Sequence, residues 1–452
     1  MRIARSPWFL FFPNATGVYV TAIVLIVAAA PAFFRVAFEN KTLDDFHVIY
    51  CGARAMLDRA EIHTATNGMY IYSPFLAFVF QPLALVSERL AAMLWLIASG
   101  IIFVTAVFLA SLKIAKTWQF ASPRNSGGAH VPWLIAAGAL LLSFEKLRSE
   151  FILGQTDCLI LLGLSLILCF LNSRLLTAAV LVGVTANFKY LALIFVPYFI
   201  AKRNYRAALV SIVSFAFFFL LPAVEIGRQL ISDYIVNAAA VLAKVIGGRE
   251  LAHQIFPGPP PVVNFLTWNN SVSLTSSFFR FGQSLHLSNT ITVLGIAILL
   301  VGVVVTLVAI GQRNNLGLFR SDRPRCEIAR AQTTSLEWAA LIVLALVFGP
   351  QTTARHMIML VLVYPLGIVL AFTEDDRPSR IFLVGLMITT AVSLSLPFRE
   401  TGAHPLLLAL KLGGVASWFA LLLVFSICAR GSRQIDQFHT KTEKNGIQPT
   451  SL

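Results

Sequence analysis

The sequence predicts an all-α integral membrane protein, a bundle of about twelve transmembrane helices with one amphipathic helix beside the membrane. Three observations predict it. The 452-residue chain is 57% hydrophobic and 12% charged, with a mean hydropathy of +0.78, whereas soluble domains carry roughly a quarter charged residues. Its apolar residues form runs, several as long as the ~20 residues a bilayer crossing needs. Its basic residues, which give a formal net charge of +14, sit in short clusters between those runs. That is the pattern of loops facing an anionic cytoplasmic leaflet, and it excludes nucleic acid as the partner of this charge.

The runs fall at 16–38, 88–112, 131–147, 155–172, 175–187, 189–201, 206–223, 289–311, 335–350, 356–372, 380–397 and 403–429. The first contains Ala28-Ala29-Ala30, which resembles a signal-peptidase site, but its length marks a retained helix. With the N-terminus inside, the inside segments and the boundary residue Arg380 hold 20 of the 35 Lys and Arg residues. The long external segment 224–288 holds four, Arg228, Lys244, Arg249 and Arg280. The positive-inside rule therefore puts both termini in the cytoplasm and segments 39–74 and 224–288 outside. Residues 1–429 read as a single membrane domain, and 430–452 as a structureless cytoplasmic tail.

Two places depart from simple crossings. Residues 74–87 form a separate apolar run, and a full crossing there would move Lys113, Lys116 and Arg124 outside, so a re-entrant segment is expected. The runs 175–187 and 189–201 are short, yet Arg174 and Lys202/Arg203 both favour the inside. A helical hairpin with its tip outward fits, and such short helices imply a protein-lined cavity. No internal duplication of interrupted helices appears, which weakens a transporter reading.

This topology gathers unusual polar residues on the outer side. They run from Asp44, Asp45 and His47 through Glu145, Lys146, Arg148, Glu150, Gln155, Asp157 and Lys189 to Asn269, Asn270, Arg355, His356, Arg399 and His404. Ionisable groups at membrane depth are costly and mark sites. Residues 45–59 place Phe46, Ile49, Tyr50, Ala53, Met56 and Leu57 on one helical face, with His47, Cys51, Arg54 and Asp58 opposite, a helix lying in the membrane interface. Asp44 or Asp45 would cap it, leaving the other carboxylate as a candidate base. Gln155 and Asp157 read either as a helix start or as contacts to a sugar. Lys189 reads as a snorkelling lysine or a phosphate ligand, and Arg355-His356, after an irregular Gly349–Ala354 break, as a phosphate clamp. Five cysteines without CxxC or Cys/His spacing indicate neither a metal site nor a disulfide framework. No P-loop, GxSxG or HExxH occurs, so a reaction here would need a donor delivered within the membrane.

Asp45-Phe46 with Tyr50, and Tyr72-Ser73-Pro74-Phe75 leading into Pro82-Leu83, resemble the opening of glycosyltransferase family 87. Gly154-Gln155, the stretch from Gly183 to Lys189, and Arg203/Arg206 are similar to its middle section. Asn269-Asn270-Ser271 is similar to its Asn-Gln-Ser element, and Pro350–His356 stands where the family has Pro-Ile-Ser-Trp-Asp-His-His. The resemblance covers roughly residues 40–372. Two departures are plain: Ser73 replaces the first proline of Tyr-Pro-Pro, and Arg355-His356 replaces the paired histidines, without the Trp and Asp.

The resemblance implies a GT-C-class membrane mannosyltransferase of the plasma (inner) membrane. It would move a hexose from a polyprenyl-phosphate sugar to a lipid or glycan acceptor on the extracytoplasmic face. Anomeric inversion without a metal or other cofactor is implied too. In that reading Asp45 is the base, Arg355, His356 and Lys189 hold the donor phosphate, and Asp44, Gln155, Asp157 and Asn270 contact substrate. Two alternatives are a lipid-linked sugar flippase or transporter, and a GT-C enzyme carrying arabinose or aminoarabinose. The first would need polar residues continuing through the bilayer, whereas here they gather on one side.

Overall fold

The protein is described from a computed structural model covering residues 15–39, 41–118, 130–228, 231–232, 234–236, 266–267, 269–320, 326–350, 352–374, 376–395 and 405–444. The basic N-terminal residues Arg2 and Arg5, the proline run 257–261, Arg399, His404 and residues 445–452 lie outside it. Among the described residues there is no strand, only one isolated antiparallel bridge between Ser271 and Thr353.

The helices are α1 (Thr16–Ala37), α2 (Asp44–Leu57), α3 (Ile62–Ala65), α4 (Pro74–Ala84), α5 (Glu88–Thr117), α6 (His130–Leu142), α7 (Phe144–Leu153), α8 (Asp157–Phe170), α9 (Leu175–Phe188), α10 (Phe195–Ala201), α11 (Tyr205–Leu220), α12 (Leu274–Ser284), α13 (Asn289–Arg313), α14 (Glu327–Phe348), α15 (Tyr364–Thr373), α16 (Arg377–Ser395), α17 (Pro405–Leu412) and α18 (Val415–Lys444). Among the described residues seven helices are long and apolar enough to cross a membrane: α1, α5, α13, α14, the stretch His356–Thr373, α16 and the first part of α18. An eighth arises if α6 and α7, bent by 73°, form one broken span. The shorter apolar helices α4, α8, α9, α11 and Tyr190–Ala201 pack among them. At 11 residues α4 is about 16 Å long, half the hydrocarbon thickness, and does not cross alone.

The core is built round α14, buried almost continuously from Gln332 to Val347. The helix begins well before the apolar run 335–350 that marks it in the sequence. Several of its polar residues find partners inside the bundle, where an unpaired polar group would be costly. Trp118 donates to Ser335 (3.1 Å) and Thr334 to Asn172 (2.9 Å). Glu337 accepts from Tyr198 (2.9 Å) and pairs with Lys202 (2.6 Å). By contrast α13 is mostly exposed, with Leu294, Ile298, Val301 and Val305 outward, as a lipid-facing helix should be.

Two expectations change. The apolar face of α2 is covered by protein rather than lying in lipid: Phe46, Ile49, Ala53 and Met56 are fully buried, and the helix packs on α4. Residues 430–444, expected to be structureless, continue α18. Gly431 lies on Leu336, Ile435 is buried, and Gln434 accepts from Thr373 (3.1 Å). Scattered apolar residues in a polar segment suffice when a long neighbour such as α14 is there to receive them.

Candidate active site

Four segments converge at one end of the bundle: the start of α2, the α7–α8 turn, the break after α9, and residues 349–356. Leu43 is the N-cap of α2 and makes no side-chain cap. Asp44 and Asp45 are therefore first-turn residues, favoured there by the helix dipole, and neither serves as the cap. Successive helical residues differ by about 100°, so the two carboxylates diverge. Asp44 is exposed, and Asp45 turns toward the α7–α8 turn.

That turn is shaped by Gly154, which ends α7 at φ +69°, a conformation suited to glycine. A Cβ there would stand 2.6 Å from the Phe46 Cβ, so the turn can press directly on α2. Trp95 fixes it from α5 by donating to the Gly154 carbonyl (3.1 Å). Phe46 is held in turn by Phe80, at 6.5 Å between ring centroids. The result aims Gln155 at Asp45.

Asp45 Oδ2 accepts from Gln155 Nε2 and from Arg355 Nη1, the latter at 2.8 Å. Tyr72 donates its hydroxyl to Gln155 Oε1 (3.4 Å). Burial, with the charge of Asp45 adding to it, pushes the Tyr72 phenol above its ordinary range, so it stays a donor at neutral pH. Lys189 extends from the break after α9, where the backbone is fully extended, and pairs with Asp157 at 2.5 Å. It turns inward and does not snorkel. The two ion pairs differ in access. Asp45 and Arg355 are 29% and 33% exposed, whereas Asp157 is 0% exposed and Lys189 24%. The first pair is open to a ligand and the second lies beneath it. His356 accepts from the Thr353 backbone N–H through Nδ1 (3.2 Å), leaving Nε2 as the donor of a neutral ring.

Six expected residues thus meet: Asp45, Gln155, Asp157, Lys189, Arg355 and His356. Asn270 stands apart, accepting from Lys411 at 3.3 Å. It still adjoins the Arg355 loop, because Val272 N donates to Thr352 O (2.8 Å) and Ser271 Oγ to the same oxygen (3.0 Å). His47 pairs with Glu88 at 2.8 Å. Among the described residues no group of His, Cys, Asp or Glu is arranged as metal ligands.

One further residue, which the sequence placed among the outer polar groups without a role, joins them. Glu150 is 1% exposed, and neither carboxyl oxygen has a hydrogen-bond partner among the described residues. It lies in the field of Asp157, Lys189, Arg355 and Asp45. Leu147, Glu150 and Phe151, spaced as one helical face, are the buried residues of α7.

The model of glycosyltransferase family 87 matches residues 70–323. That range includes Gln155, Asp157 and Lys189, and stops short of Asp45, Arg355 and His356. Two curated relatives come from Mycobacterium tuberculosis. The chain is 29% identical over 213 residues to a polyprenol-phosphate-mannose-dependent alpha-(1-2)-phosphatidylinositol pentamannoside mannosyltransferase of strain CDC 1551 / Oshkosh, covering 44% of this chain and 46% of that protein. It is 27% identical over 197 residues to a polyprenol-phosphate-mannose-dependent alpha-(1-2)-phosphatidylinositol mannoside mannosyltransferase of strain ATCC 25618 / H37Rv, covering 41% and 46%. The chain spans about half the length of the curated relatives it matches. No solved structure gives a significant match.

Proposed function

The chain belongs to glycosyltransferase family 87, and from that membership we propose that it is a membrane glycosyltransferase moving a hexose, mannose by analogy with its relatives, from a polyprenyl-phosphate sugar to a hydroxyl of a lipid or glycan. The observation that carries this reading is the accessible Asp45–Arg355 pair, a carboxylate and a guanidinium 2.8 Å apart. It sets a proton acceptor beside a phosphate-binding cation.

In the proposed reaction an acceptor oxygen attacks the anomeric carbon from the face opposite the phosphate. The new C–O bond forms as the bond to the phosphate oxygen breaks, with inversion. The acceptor proton passes to Asp45, and the bonding electrons leave with the phosphate, which gains one negative charge. Phosphate is already a good leaving group, so catalysis rests on base and cation. A positioned base is worth roughly 10²–10⁴-fold. Gln155 orients the Asp45 carboxylate, and Tyr72 orients Gln155. Arg355 engages Asp45 through one nitrogen and keeps the rest of its N–H fork for phosphate oxygens. His356, through Nε2, and Lys189 add a neutral donor and a second cation for the growing charge. Asp157 holds Lys189, while Asp44 and Asn270 meet the substrates from the rim. The bias of basic residues supports an extracytoplasmic site in the plasma (inner) membrane.

Purified protein given radiolabelled polyprenyl-phosphate mannose and a membrane lipid extract should yield labelled product. Nucleotide-linked mannose alone should yield none. Transfer from the nucleotide sugar without lipid donor, or no transfer from any lipid-linked sugar, would overturn the proposal.

A further inference from the structure

Lys189 cannot serve a phosphate without leaving something behind. Its ammonium lies 2.5 Å from Asp157 Oδ1, and Asp157 is 0% exposed. A fully buried carboxylate that loses its cation is left uncompensated, which is strongly destabilising. Whatever lets Lys189 turn toward a ligand must therefore lie beside Asp157, inside the protein.

Glu150 is placed for that task. It lies on the buried face of α7 with Leu147 and Phe151, at 1% exposure. Phe151 locks this face against α5, its ring 5.7 Å from that of Phe103. The Glu150 carbonyl accepts from Gln155 N (3.1 Å), which ties the residue to the turn that leads into Asp157. Three carboxyl oxygens stand here without a hydrogen-bond partner among the described residues: Glu150 Oε1 and Oε2, and Asp157 Oδ2. Of the charged groups around Glu150, Asp157 bears on it most strongly, followed by Lys189, Arg355 and Asp45. Lys146, one turn earlier on α7, lies mainly in the field of Glu145.

Charge counting indicates the state of Glu150. Asp45 with Arg355 and Asp157 with Lys189 are two balanced pairs. An ionised Glu150 would add a third negative charge, buried and without a donor, below a site that receives an anionic substrate. A neutral carboxyl keeps the cluster balanced and, unlike a carboxylate, carries an O–H to donate.

We propose that Glu150 is a positioning residue for Lys189: a neutral carboxyl that donates a hydrogen bond to Asp157 when Lys189 leaves that carboxylate for the donor phosphate. The proposal rests on the lipid-phosphate donor argued above and adds how its second cation is released. Lys189 exchanges one anionic partner for another as the phosphate gains charge, and Asp157 passes from a cation to an O–H donor. Hydrogen bonds to a charged acceptor are the strong ones. The proton stays on Glu150 throughout, so the cluster neither takes up nor loses one. Glu150 does not touch the reacting atoms.

The test separates the O–H from the volume it occupies. Glu150→Leu keeps the size and has no donor, so kcat/KM for polyprenyl-phosphate mannose should fall about tenfold or more, the worth of one hydrogen bond to a charged group. Glu150→Gln is also neutral and donates through Nε2, so it should lose no more than about threefold. In an Asp157→Asn background no charge needs holding, and there Glu150→Leu should cost no more than about twofold further. Equal losses in the Leu and Gln variants, no loss in either, or an undiminished penalty in the Asp157→Asn background would overturn the proposal and leave the transferase reading intact. A wild-type protein that transfers from no lipid-linked sugar would remove both. If Glu150→Leu does not fold, infrared difference spectra on adding polyprenyl phosphate decide. Wild type should show the carbonyl stretch of a protonated carboxyl shifting on binding, and Glu150→Gln should lack it. A wild-type spectrum without that band, or its persistence in Glu150→Gln, contradicts the assignment.

Discussion

Asp45 Oδ2 receives hydrogen bonds from both Arg355 and Gln155, so a single oxygen of the carboxylate takes both donors. The pair is about one-third exposed, where its worth to stability is small. Its worth lies in recognition, and Arg355→Lys tests that. A lysine keeps the charge but loses the planar fork, so turnover on the lipid donor should fall by about 10–100-fold with little change in melting temperature. The pair beneath behaves differently. Lys189→Met leaves the fully buried Asp157 uncompensated and should destabilise the protein by about 3–5 kcal/mol in thermal unfolding, with Lys189→Met/Asp157→Asn recovering most of that loss. The charged residues of this site were legible as unusual polar groups at helix ends. Which neighbour each would choose was not, because Asp45 and Arg355 are 310 residues apart. Asp44 and Asp45 were indistinguishable by composition, and the phase of α2, set by burial of Phe46 and Ile49, separates them. Glu150 stood out as an outer polar residue, but its burial was not legible, because it depends on how α7 packs against elements distant in sequence.

The α7–α8 turn is the element on which the site depends. It joins a charged helix bent 73° from α6 to an apolar one, and Gly154 lets it touch α2. Gly154→Ala meets both a positive φ and the Phe46 Cβ. It should cost about 2 kcal/mol and, by displacing Gln155, lower turnover more than it lowers donor affinity; a KM and kcat comparison checks this. Apolar runs in the sequence gave away most of the helices, because hydropathy and length are local properties. The bend after Leu142, the early start of α14 and the helical extension to Lys444 escaped that reading. In the last two, polar residues meet neighbours distant in sequence, as Thr334 meets Asn172 and Gln434 meets Thr373.

At the scale of the whole molecule, the proposed orientation rests on the bias of basic residues toward one set of connecting segments in the sequence. A cysteine introduced at exposed Asp44, in a background lacking the five native cysteines, should react with a membrane-impermeant thiol reagent applied to intact cells. Reaction only after permeabilisation would place the site on the cytoplasmic face. A lipid-borne donor suits this architecture, because sugar, phosphate and chain can approach from the bilayer without a soluble nucleotide-binding domain.

The central claim is that Asp45 removes the acceptor proton. Its most direct measurement is single-turnover transfer from labelled polyprenyl-phosphate mannose by wild type, Asp45→Asn and Asp44→Asn. Asp45→Asn keeps the size and one oxygen of the side chain but removes its basicity, so the rate should fall by about 10²–10⁴-fold with donor binding retained, and Asp44→Asn, which removes only a rim contact, should lose less than about tenfold. Transfer by Asp45→Asn at the wild-type rate would contradict the account.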